Sequence, residues 1–159
     1  MKLKTGIGID VHRLEIGLDL WIGGIKIKSN KGCVAHSDGD VLLHAICDAL
    51  LGAAGLPDIG HHFPDTSQEY KGIDSKVLLK KTVALIEAKG FAVSNIDCVV
   101  CLQQPKLKDY IYDIKSCIAE IANISVEDVS VKATTTELLG FEGREEGVSA
   151  YATTLLYKL

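Results

Sequence analysis

The stretch from Asp38 to Ala54 restricts the possible folds more than any other, because it is apolar on almost every side of a helix. Such a helix must be covered by other elements, which places it deep inside a layered structure. Ser37 or Asp38 can cap its first turn, and Gly55 with Pro57 ends it. The stretch therefore predicts a deeply buried helix.

Three polar residues interrupt this apolar helix at intervals of four, namely Asp40, His44 and Asp48. Polar side chains in a buried helix are costly unless they are paired or bound to a ligand. His44 is therefore either a core histidine satisfied by Asp40 or Asp48, or the partner of groups from another element.

The first strand carries candidates for such groups. Residues 3–12 alternate between two sides of a strand. One side, which we expect to pack, is mostly apolar and consists of Leu3, Thr5, Ile7, Ile9 and Val11. The other side carries polar residues and glycines, namely Lys4, Gly6, Gly8, Asp10 and His12. Residues two apart in a strand point the same way, about 7 Å apart, so Asp10 and His12 can share a cation with a third ligand from elsewhere. The glycines keep this face open to a ligand or a neighbouring backbone. The alternative is an edge strand that merely exposes Asp and His.

The remaining pattern combines strands with amphipathic helices. Gly23-Gly24 predicts a hairpin arm at about residues 17–28. Loops are expected at 32–37 and at about 56–71, strands at about 95–103, 129–133 and 148–157, and helices at 74–89 and around Ile111, Ile114, Ile118 and Ile121.

These elements predict a single α+β domain over residues 1–159, with a mixed β-sheet and helices packed on one face. The other face of the sheet is also rich in Val, Ile and Ala. Symmetric self-association is the usual way to cover such a face.

Composition excludes several classes of partner. A net charge of -4 and a pI near 5.7 argue against nucleic acid and anionic membrane, which need a concentrated basic face. No apolar run is long enough to span a bilayer, and the first residues lack the apolar core of a signal peptide. Five cysteines, an odd number, fit reduced thiols in the cytosol. Cys98 and Cys101 have C-x-x-C spacing, but an apolar strand points them to opposite faces, so we expect buried thiols rather than a zinc site.

Two further segments carry reactive side chains. Residues 57–67 contain two acids, two histidines and two prolines, and form either a functional lid or an exposed connector. Adjacent side chains diverge in extended backbone, which makes His61 and His62 a weak metal site. Three threonines and Glu137 follow Lys132, where hydroxyls suit phosphate oxygens and the carboxylate suits a hard divalent cation. A strand that continues into an exposed turn is the alternative there.

Four groups of residues, in order along the chain, resemble the motifs of the 2-C-methyl-D-erythritol 2,4-cyclodiphosphate synthases, the cyclising enzymes of the non-mevalonate isoprenoid pathway. These are Asp10-Val11-His12; His36-Ser37-Asp38-Gly39-Asp40 with His44; Asp58-Ile59-Gly60 with Phe63-Pro64-Asp65-Thr66; and Lys132 to Glu137 with Leu139-Gly140-Phe141 and Gly143-Arg144. The resemblance implies a cytoplasmic or plastid-stromal homotrimer with active sites between neighbouring subunits.

The resemblance also implies a reaction. A phosphorus–oxygen lyase of this family cyclises 4-diphosphocytidyl-2-C-methyl-D-erythritol 2-phosphate and releases CMP, as the 2-phosphate attacks the β-phosphate. Two alternatives use the same residues. One is a zinc-dependent phosphohydrolase of nucleotide diphosphates, and the other is a non-catalytic trimeric module that binds a metal or an isoprenoid diphosphate.

Individual roles follow from the same resemblance. Asp10, His12 and His44 correspond to zinc ligands that also contact the substrate, and Glu137 corresponds to the ligand of a second ion, Mg²⁺ or Mn²⁺. His36 and Thr135 correspond to groups that stabilise the transition state. The other implied substrate contacts are Val11, Ser37, Asp58, Ile59, Gly60, Phe63, Pro64, Asp65, Thr66, Ser67, Cys101, Leu102, Gln103, Gln104, Pro105, Lys106, Thr134, Thr136, Phe141 and Arg144.

Two positions depart from the family pattern. Ser67 stands where the family often has an acid, and Ile9 stands where many members have phenylalanine. Phe141 and Arg144 match family residues near a cavity on the trimer axis. The resemblance therefore implies a hydrophobic diphosphate as a ligand of that cavity.

Overall fold

Strands and helices follow one another along residues 2–159, the part of the chain that the computed structural model describes. In chain order they are β1 (Leu3–Ile16), β2 (Leu20–Ile22), β3 (Ile25–Ile27), β4 (Lys31–Val34), α1 (Val41–Ala54), α2 (Ile59–His62), α3 (Ser75–Ala88), β5 (Phe91–Cys101), α4 (Ile111–Ala122), β6 (Val129–Thr134), α5 (Gly140–Gly143) and β7 (Gly147–Lys158). Short 3₁₀ turns lie at Gln68–Tyr70, Lys108–Tyr110 and Val126–Asp128. No helix among these residues combines the length and the apolar character needed to cross a membrane.

Five strands form one mixed sheet in the order β4-β1-β7-β5-β6, with β5 and β6 parallel and the other neighbours antiparallel. β2 and β3 form the predicted hairpin as a separate two-stranded sheet. The predicted α+β class and mixed sheet are confirmed. β4 pairs only with Arg13–Ile16, so the part of β1 that carries Asp10 and His12 has β7 as its one neighbour and lies at the edge of the sheet, as the alternative supposed. The face that carries Asp10 and His12 is nevertheless partly buried rather than exposed, so the alternative of a merely exposed Asp and His is wrong.

The side of β1 that packs against a helix is the side with the glycines, which is the reverse of our expectation. A Cβ on Gly6 or Gly8 would collide with the carbonyl oxygen of Ala49 or Ala45 in α1. The missing side chains let the helix backbone approach the strand closely. The apolar side chains of the opposite face stay exposed in the single chain, beside two tyrosines of β7: Leu3, Ile7, Ile9, Val11, Tyr151 and Tyr157.

α1 is buried as predicted and ends at Gly55, but it begins at Val41 and its cap is Asp40 rather than Ser37 or Asp38. The fully buried carboxylate of Asp40 accepts the N–H of Leu43 at 3.0 Å. It also accepts the N–H groups of Gly23 and Gly24, at 2.9 and 2.7 Å, in the hairpin turn. Burial raises the pKa of Asp40, and the three hydrogen bonds offset part of this effect. Asp40 therefore fixes the hairpin to the start of α1.

Three further expectations differ in detail. The first residues of the loop expected at 32–37 belong to β4 instead. β4 pairs with Arg13–Ile16, because β1 continues past the residues in which apolar and polar side chains alternate. β5 begins at Phe91, four residues before the expected start at 95. A bulge between Val93 and Asn95 interrupts the alternation from which a strand is predicted. Cys98 is buried as expected, whereas Cys101 is only half-buried; both are free thiols.

Candidate active site

Three side chains, those of Asp10, His12 and His44, converge at one point. Asp10 Oδ2 lies 2.9 Å from His12 Nε2 and 3.1 Å from His44 Nδ1, and these two ring nitrogens are 3.1 Å apart. Within residues 2–159, this triad is the one group of three or more side chains placed to hold a metal ion. A single chain therefore assembles all three candidate ligands.

Local backbone geometry explains this convergence. Asp10 and His12 lie two apart on the helix-facing side of β1, and the glycines at positions 6 and 8 let α1 come close enough for His44 to reach them. His44 Nδ1 faces Asp10, and its Nε2 lies 2.9 Å from Ser75 Oγ. The alternative that Asp40 or Asp48 satisfies His44 is therefore wrong.

The spacing of the triad fits a small divalent cation. A tetrahedral ion with bonds of about 2.0–2.1 Å to nitrogen and oxygen needs neighbouring donors about 3.3 Å apart. The donor atoms of the triad are 2.9–3.1 Å apart, so they need to spread only slightly. Two imidazoles and one carboxylate also leave a fourth position for a substrate oxygen, as catalytic zinc sites do.

The members of the triad change one another's proton affinity. Burial alone would raise the pKa of Asp10, but hydrogen bonds and charge from His12 and His44 lower it to about 2. Burial alone would lower the pKa of His44, but the hydrogen bond and charge of Asp10 raise it above the ordinary histidine value. His44 therefore binds a proton more tightly than an ordinary histidine, and a cation bound at the triad would compete with that proton.

A cleft of about 370 Å³ opens beside the triad. The predicted site residues that line it are His12, His36, Ser37, His44, Ile59, Gly60, Phe63 and Asp65. Sequence reasoning did not select the rest of its wall, which is Ala35, Tyr70, Ile73 and Leu78. Tyr70 was detectable as an aromatic residue in the 56–71 loop, whereas Leu78 has the ordinary pattern of a core helix.

Other residues predicted for this region lie around the cleft rather than in its wall. His36 Nε2 donates to the carbonyl oxygen of Ser67 at 3.0 Å, while Ser67 Oγ accepts the N–H of Glu69. Asp58 caps α2 by accepting the N–H of His61 at 2.9 Å. The Val11 side chain is on the opposite face of the sheet. His36 lines the cleft, whereas six other predicted site residues do not, namely Asp10, Val11, Asp58, Pro64, Thr66 and Ser67.

The 56–71 loop is attached to the helix that carries His44. Asp48 Oδ1 accepts the N–H of Ile59 at 2.8 Å, and burial raises the pKa of Asp48. The loop is therefore part of the cleft wall and more than an exposed connector. His61 and His62 belong to no three-ligand group in the described chain.

A second cleft, of about 320 Å³, lies where β5 and β6 end beside α4. Its predicted wall residues are Leu102, Gln103, Pro105, Lys106, Thr134 and Thr135, and those that sequence reasoning missed are Leu107, Lys108, Ile111, Val131 and Ala133. Cys101, Gln104, Thr136 and Glu137 are not in its wall. The missed side chains are apolar or basic residues of ordinary strand and helix patterns, so no local signal marks them.

Strand register relates the two clefts. Asp10 pairs with Ala150, which pairs with Val100, which pairs with Ala133. Three strand spacings of about 4.8 Å separate the ends of this row, or about 14 Å. The two clefts therefore lie at the same end of the sheet, on its helix-covered face, and apart within one chain.

The threonine-rich turn presents a carboxylate to solvent. Glu137 and Leu138 have left-handed backbone, with φ of 54° and 64°. Thr135 Oγ1 lies 3.4 Å from Glu137 Oε1 and 3.3 Å from Glu137 N, and Leu138 N donates to Gln103 Oε1. The turn thus places an exposed carboxylate beside the hydroxyl of Thr135.

Phe141 and Arg144 lie outside both clefts. The exposed Arg144 guanidinium pairs with both carboxylate oxygens of Glu146, at 3.1 and 3.2 Å. Phe141 packs against Gly147, where a Cβ would come within 2.9 Å of the ring. These residues therefore contribute to neither cleft within one chain.

Known proteins resemble the chain over its whole length. A model of the YgbB family matches residues 3–157. The 2-C-methyl-D-erythritol 2,4-cyclodiphosphate synthase of Bacteroides fragilis (strain YCH46) is 58% identical over 159 residues, with 100% of both chains covered. The bifunctional IspDF from Campylobacter jejuni has a TM-score of 0.96 at 43% identity, covering 99% of this chain and 43% of that one. The IspF CDP complex of Plasmodium falciparum has a TM-score of 0.86 at 33% identity, covering 98% and 96%.

Proposed function

Since the chain belongs to the YgbB family, we propose that it cyclises 4-diphosphocytidyl-2-C-methyl-D-erythritol 2-phosphate to 2-C-methyl-D-erythritol 2,4-cyclodiphosphate and releases CMP. This reaction makes it a phosphorus–oxygen lyase of isoprenoid precursor biosynthesis. The observation that carries the proposal is the convergence of Asp10, His12 and His44 beside a cleft that also holds His36.

The triad would hold Zn²⁺, because two imidazoles and one carboxylate with an open position are a typical donor set for catalytic zinc. When bound, the ion supplies Lewis-acid neutralisation and alignment of phosphate oxygens. His36 and Thr135 would bind further phosphate oxygens as charge develops on them. Their hydrogen-bonding groups are suited to this role because each lines a cleft.

The reaction needs no nucleophilic side chain. A 2-phosphate oxygen attacks the β-phosphorus in line, and the bond from that phosphorus to the bridging oxygen of CMP breaks with its electron pair. The attacking phosphate is already deprotonated, so no general base is required. Repulsion between anions and loss of freedom dominate the barrier, and holding both reacting ends in one geometry can supply roughly 7–11 kcal/mol.

The walls of the first cleft would bind the methylerythritol part of the substrate. Ile59, Gly60 and Phe63 line this cleft, and Asp58 stands at the start of the same short helix. The 56–71 loop, which would contribute Pro64, Asp65, Thr66 and Ser67 as well, also keeps water from the β-phosphorus.

The second cleft would bind the cytidine and its phosphates. Leu102, Pro105 and Ile111 give apolar walls for the base, and Lys106 supplies a positive charge for the phosphates. The CDP complex of the Plasmodium falciparum relative supports a nucleotide ligand. Cys101, Gln103, Gln104, Thr134 and Thr136 complete the proposed contacts of this region.

Glu137 would hold a second divalent ion, Mg²⁺ or Mn²⁺, at the phosphates. Its carboxylate is exposed beside the Thr135 hydroxyl. Within residues 2–159, Glu137 belongs to no group of three side chains that could hold a metal ion by themselves. Mg²⁺ commonly takes one or two carboxylates and completes its shell with phosphate and water. An exposed single carboxylate therefore fits such an ion.

We infer that three copies share the sites. The exposed apolar face of β1 and β7 is the support, because Ile9 and Tyr151 are register partners on it and neighbouring apolar residues extend it along both strands. Covering this face between copies would bring the second cleft of one subunit to the triad of the next. Phe141 and Arg144 lie outside both clefts, and we propose that they bind an isoprenoid diphosphate at the trimer axis, where Arg144 would exchange its contact with Glu146 for the diphosphate.

The product decides between cyclisation and the alternatives. The purified chain is incubated with the diphosphocytidyl substrate, Zn²⁺ and Mg²⁺, and CMP release is measured with ³¹P NMR of the products. We expect CMP and a cyclic diphosphate, and no turnover after chelation. Linear products would indicate the phosphohydrolase, and absence of CMP would indicate a binding module; either would contradict the proposal.

A further inference from the structure

Behind His44 lies a hydrogen-bonded chain that the proposed reaction steps do not use. His44 Nε2 is 2.9 Å from Ser75 Oγ, on the side of the ring away from Asp10. Ser75 is the first residue of α3 and is fully buried, and its hydroxyl donates to Asp38 Oδ1. The chain therefore runs from Asp38 through Ser75 to the candidate metal ligand.

The direction of these hydrogen bonds follows from the groups themselves. An ionised carboxylate can only accept, so the single hydroxyl proton of Ser75 is used by Asp38. Ser75 Oγ can then only accept from the imidazole, which places the ring proton on Nε2 of His44. In the neutral imidazole, the form that binds a metal, the lone pair consequently lies on Nδ1, the nitrogen that faces Asp10 and His12.

Asp38 is itself held in place. Its Oδ2 accepts the N–H of Ser75 at 2.9 Å, and its Oδ1 accepts the N–H of Asp40 at 3.1 Å. These bonds link the start of α3 to the start of α1. The carboxylate therefore cannot turn away from Ser75 without breaking contacts with two helices.

A competing contact exists but is weaker. Ser37 Oγ lies 3.3 Å from His44 Nε2, compared with 2.9 Å for Ser75 Oγ, and it already accepts the N–H of Gly39. A hydrogen bond donated by Ser37 to Nε2 would put the lone pair on the wrong nitrogen for the triad. The shorter contact to Ser75 favours the productive tautomer.

We propose that Ser75 and Asp38 are positioning residues that hold His44 with its Nδ1 lone pair directed at the metal. The inference rests on the proposed metal site and adds residues that hold one ligand in its binding form. Partners of this kind fix the tautomer and orientation of metal-binding histidines, and their loss typically lowers metal affinity by about 10–100-fold.

The test measures the metal alone. Full-length Ser75→Ala is titrated with Zn²⁺ against a chromophoric chelator, and its Co²⁺ absorption spectrum is recorded. We expect roughly 10–100-fold weaker Zn²⁺ binding and a changed Co²⁺ spectrum. Ser75→Thr keeps the hydroxyl and should restore both. Asp38→Asn, whose amide can donate to Ser75 and reverse the chain, should also weaken binding.

Thr82→Val is the matched control. Thr82 is a fully buried residue of the same helix, and removing its hydroxyl leaves Asp38 and Ser75 untouched, so metal affinity should equal that of the wild type. Wild-type affinity in folded Ser75→Ala and Asp38→Asn would overturn the positioning role alone. If the wild type binds no Zn²⁺, or His44→Ala binds it equally well, the metal site itself is wrong.

Discussion

Gly8 of β1 lies directly against Ala45 of α1, so that a Cβ on the glycine would collide with the alanine carbonyl oxygen. This contact sets the distance between strand and helix, and that distance allows His44 to reach Asp10. We expect Gly8→Ala to push α1 outward, to cost about 1–3 kcal/mol as overpacked cores do, and to weaken metal binding. Urea unfolding and Zn²⁺ titration measure the two effects.

Gly52→Ala is the control for this substitution. Gly52 is an exposed residue of α1, and a Cβ there would be 4.0 Å from the nearest atom, the carbonyl oxygen of Ile7 in β1. Replacing a glycine inside a helix by alanine should stabilise the chain by up to about 1 kcal/mol. Equal stability and equal metal affinity in Gly8→Ala and Gly52→Ala would contradict the account.

The sequence predicted the element types well but not which face of β1 is inside. Ile7 and Ile9 are apolar, and alternation alone cannot distinguish a face buried in its own chain from one left for another molecule. The glycines on the other side were the informative signal, because only a residue without a Cβ admits a helix backbone so closely. The absence of side chains on the glycine face of β1 therefore indicated the buried side better than the apolar character of the opposite face did.

The candidate site was predictable only where a local pattern existed. Asp10 and His12 share a strand face, and His44 interrupts an apolar helix, so each could be found from spacing. Ser75 follows a helix cap, and Ile111 begins an ordinary amphipathic helix, so neither carries a local sign of its neighbours. Their positions depend on tertiary packing between elements far apart in sequence.

A rise in pH should lower the stability of the metal-free protein but strengthen metal binding. Burial opposes charge on His44, but Asp10 raises its pKa above the unfolded value of about 6.5. The stabilisation is complete below that value and is lost as pH rises through the folded pKa. We therefore expect the unfolding free energy of chelated protein to fall as pH rises above about 6.5.

Metal affinity should rise over the same pH range, because the cation displaces the proton of the triad. One displaced proton corresponds to about tenfold in affinity per pH unit. Co²⁺ titrations and thermal unfolding with and without chelator, between pH 6 and 8, measure both trends. An affinity independent of pH would show that no proton is displaced.

Asp48 should affect the 56–71 loop, which we propose binds substrate, without affecting the metal. Asp48→Ala removes the acceptor of the Ile59 N–H, which lies 2.8 Å away. Hydrogen bonds to charged groups contribute about 1.5–3 kcal/mol, so we expect KM to rise roughly tenfold or more while zinc content stays the same. Asp48→Asn, which keeps an acceptor, should rescue most of this loss. An unchanged KM in Asp48→Ala would count against the anchoring role.

The proposed sharing of sites between subunits predicts complementation. His44→Ala removes a ligand of the triad, and Thr135→Ala alters the second cleft, so each variant alone should be nearly inactive. Random assembly of equal amounts into trimers leaves about one quarter of the shared sites with neither substitution. We expect about that fraction of wild-type activity after subunit exchange. No recovery in verified mixed trimers would place each complete site within one chain.

The zinc content of the purified chain is the simplest measurement that can refute the proposed ligand triad. Elemental analysis of purified wild-type chain should give about one zinc per chain, as three ligands with one open position imply. His44→Ala, checked for intact fold by circular dichroism, should contain almost none. Retention of one zinc per chain in folded His44→Ala would contradict the assignment of Asp10, His12 and His44 as the metal site.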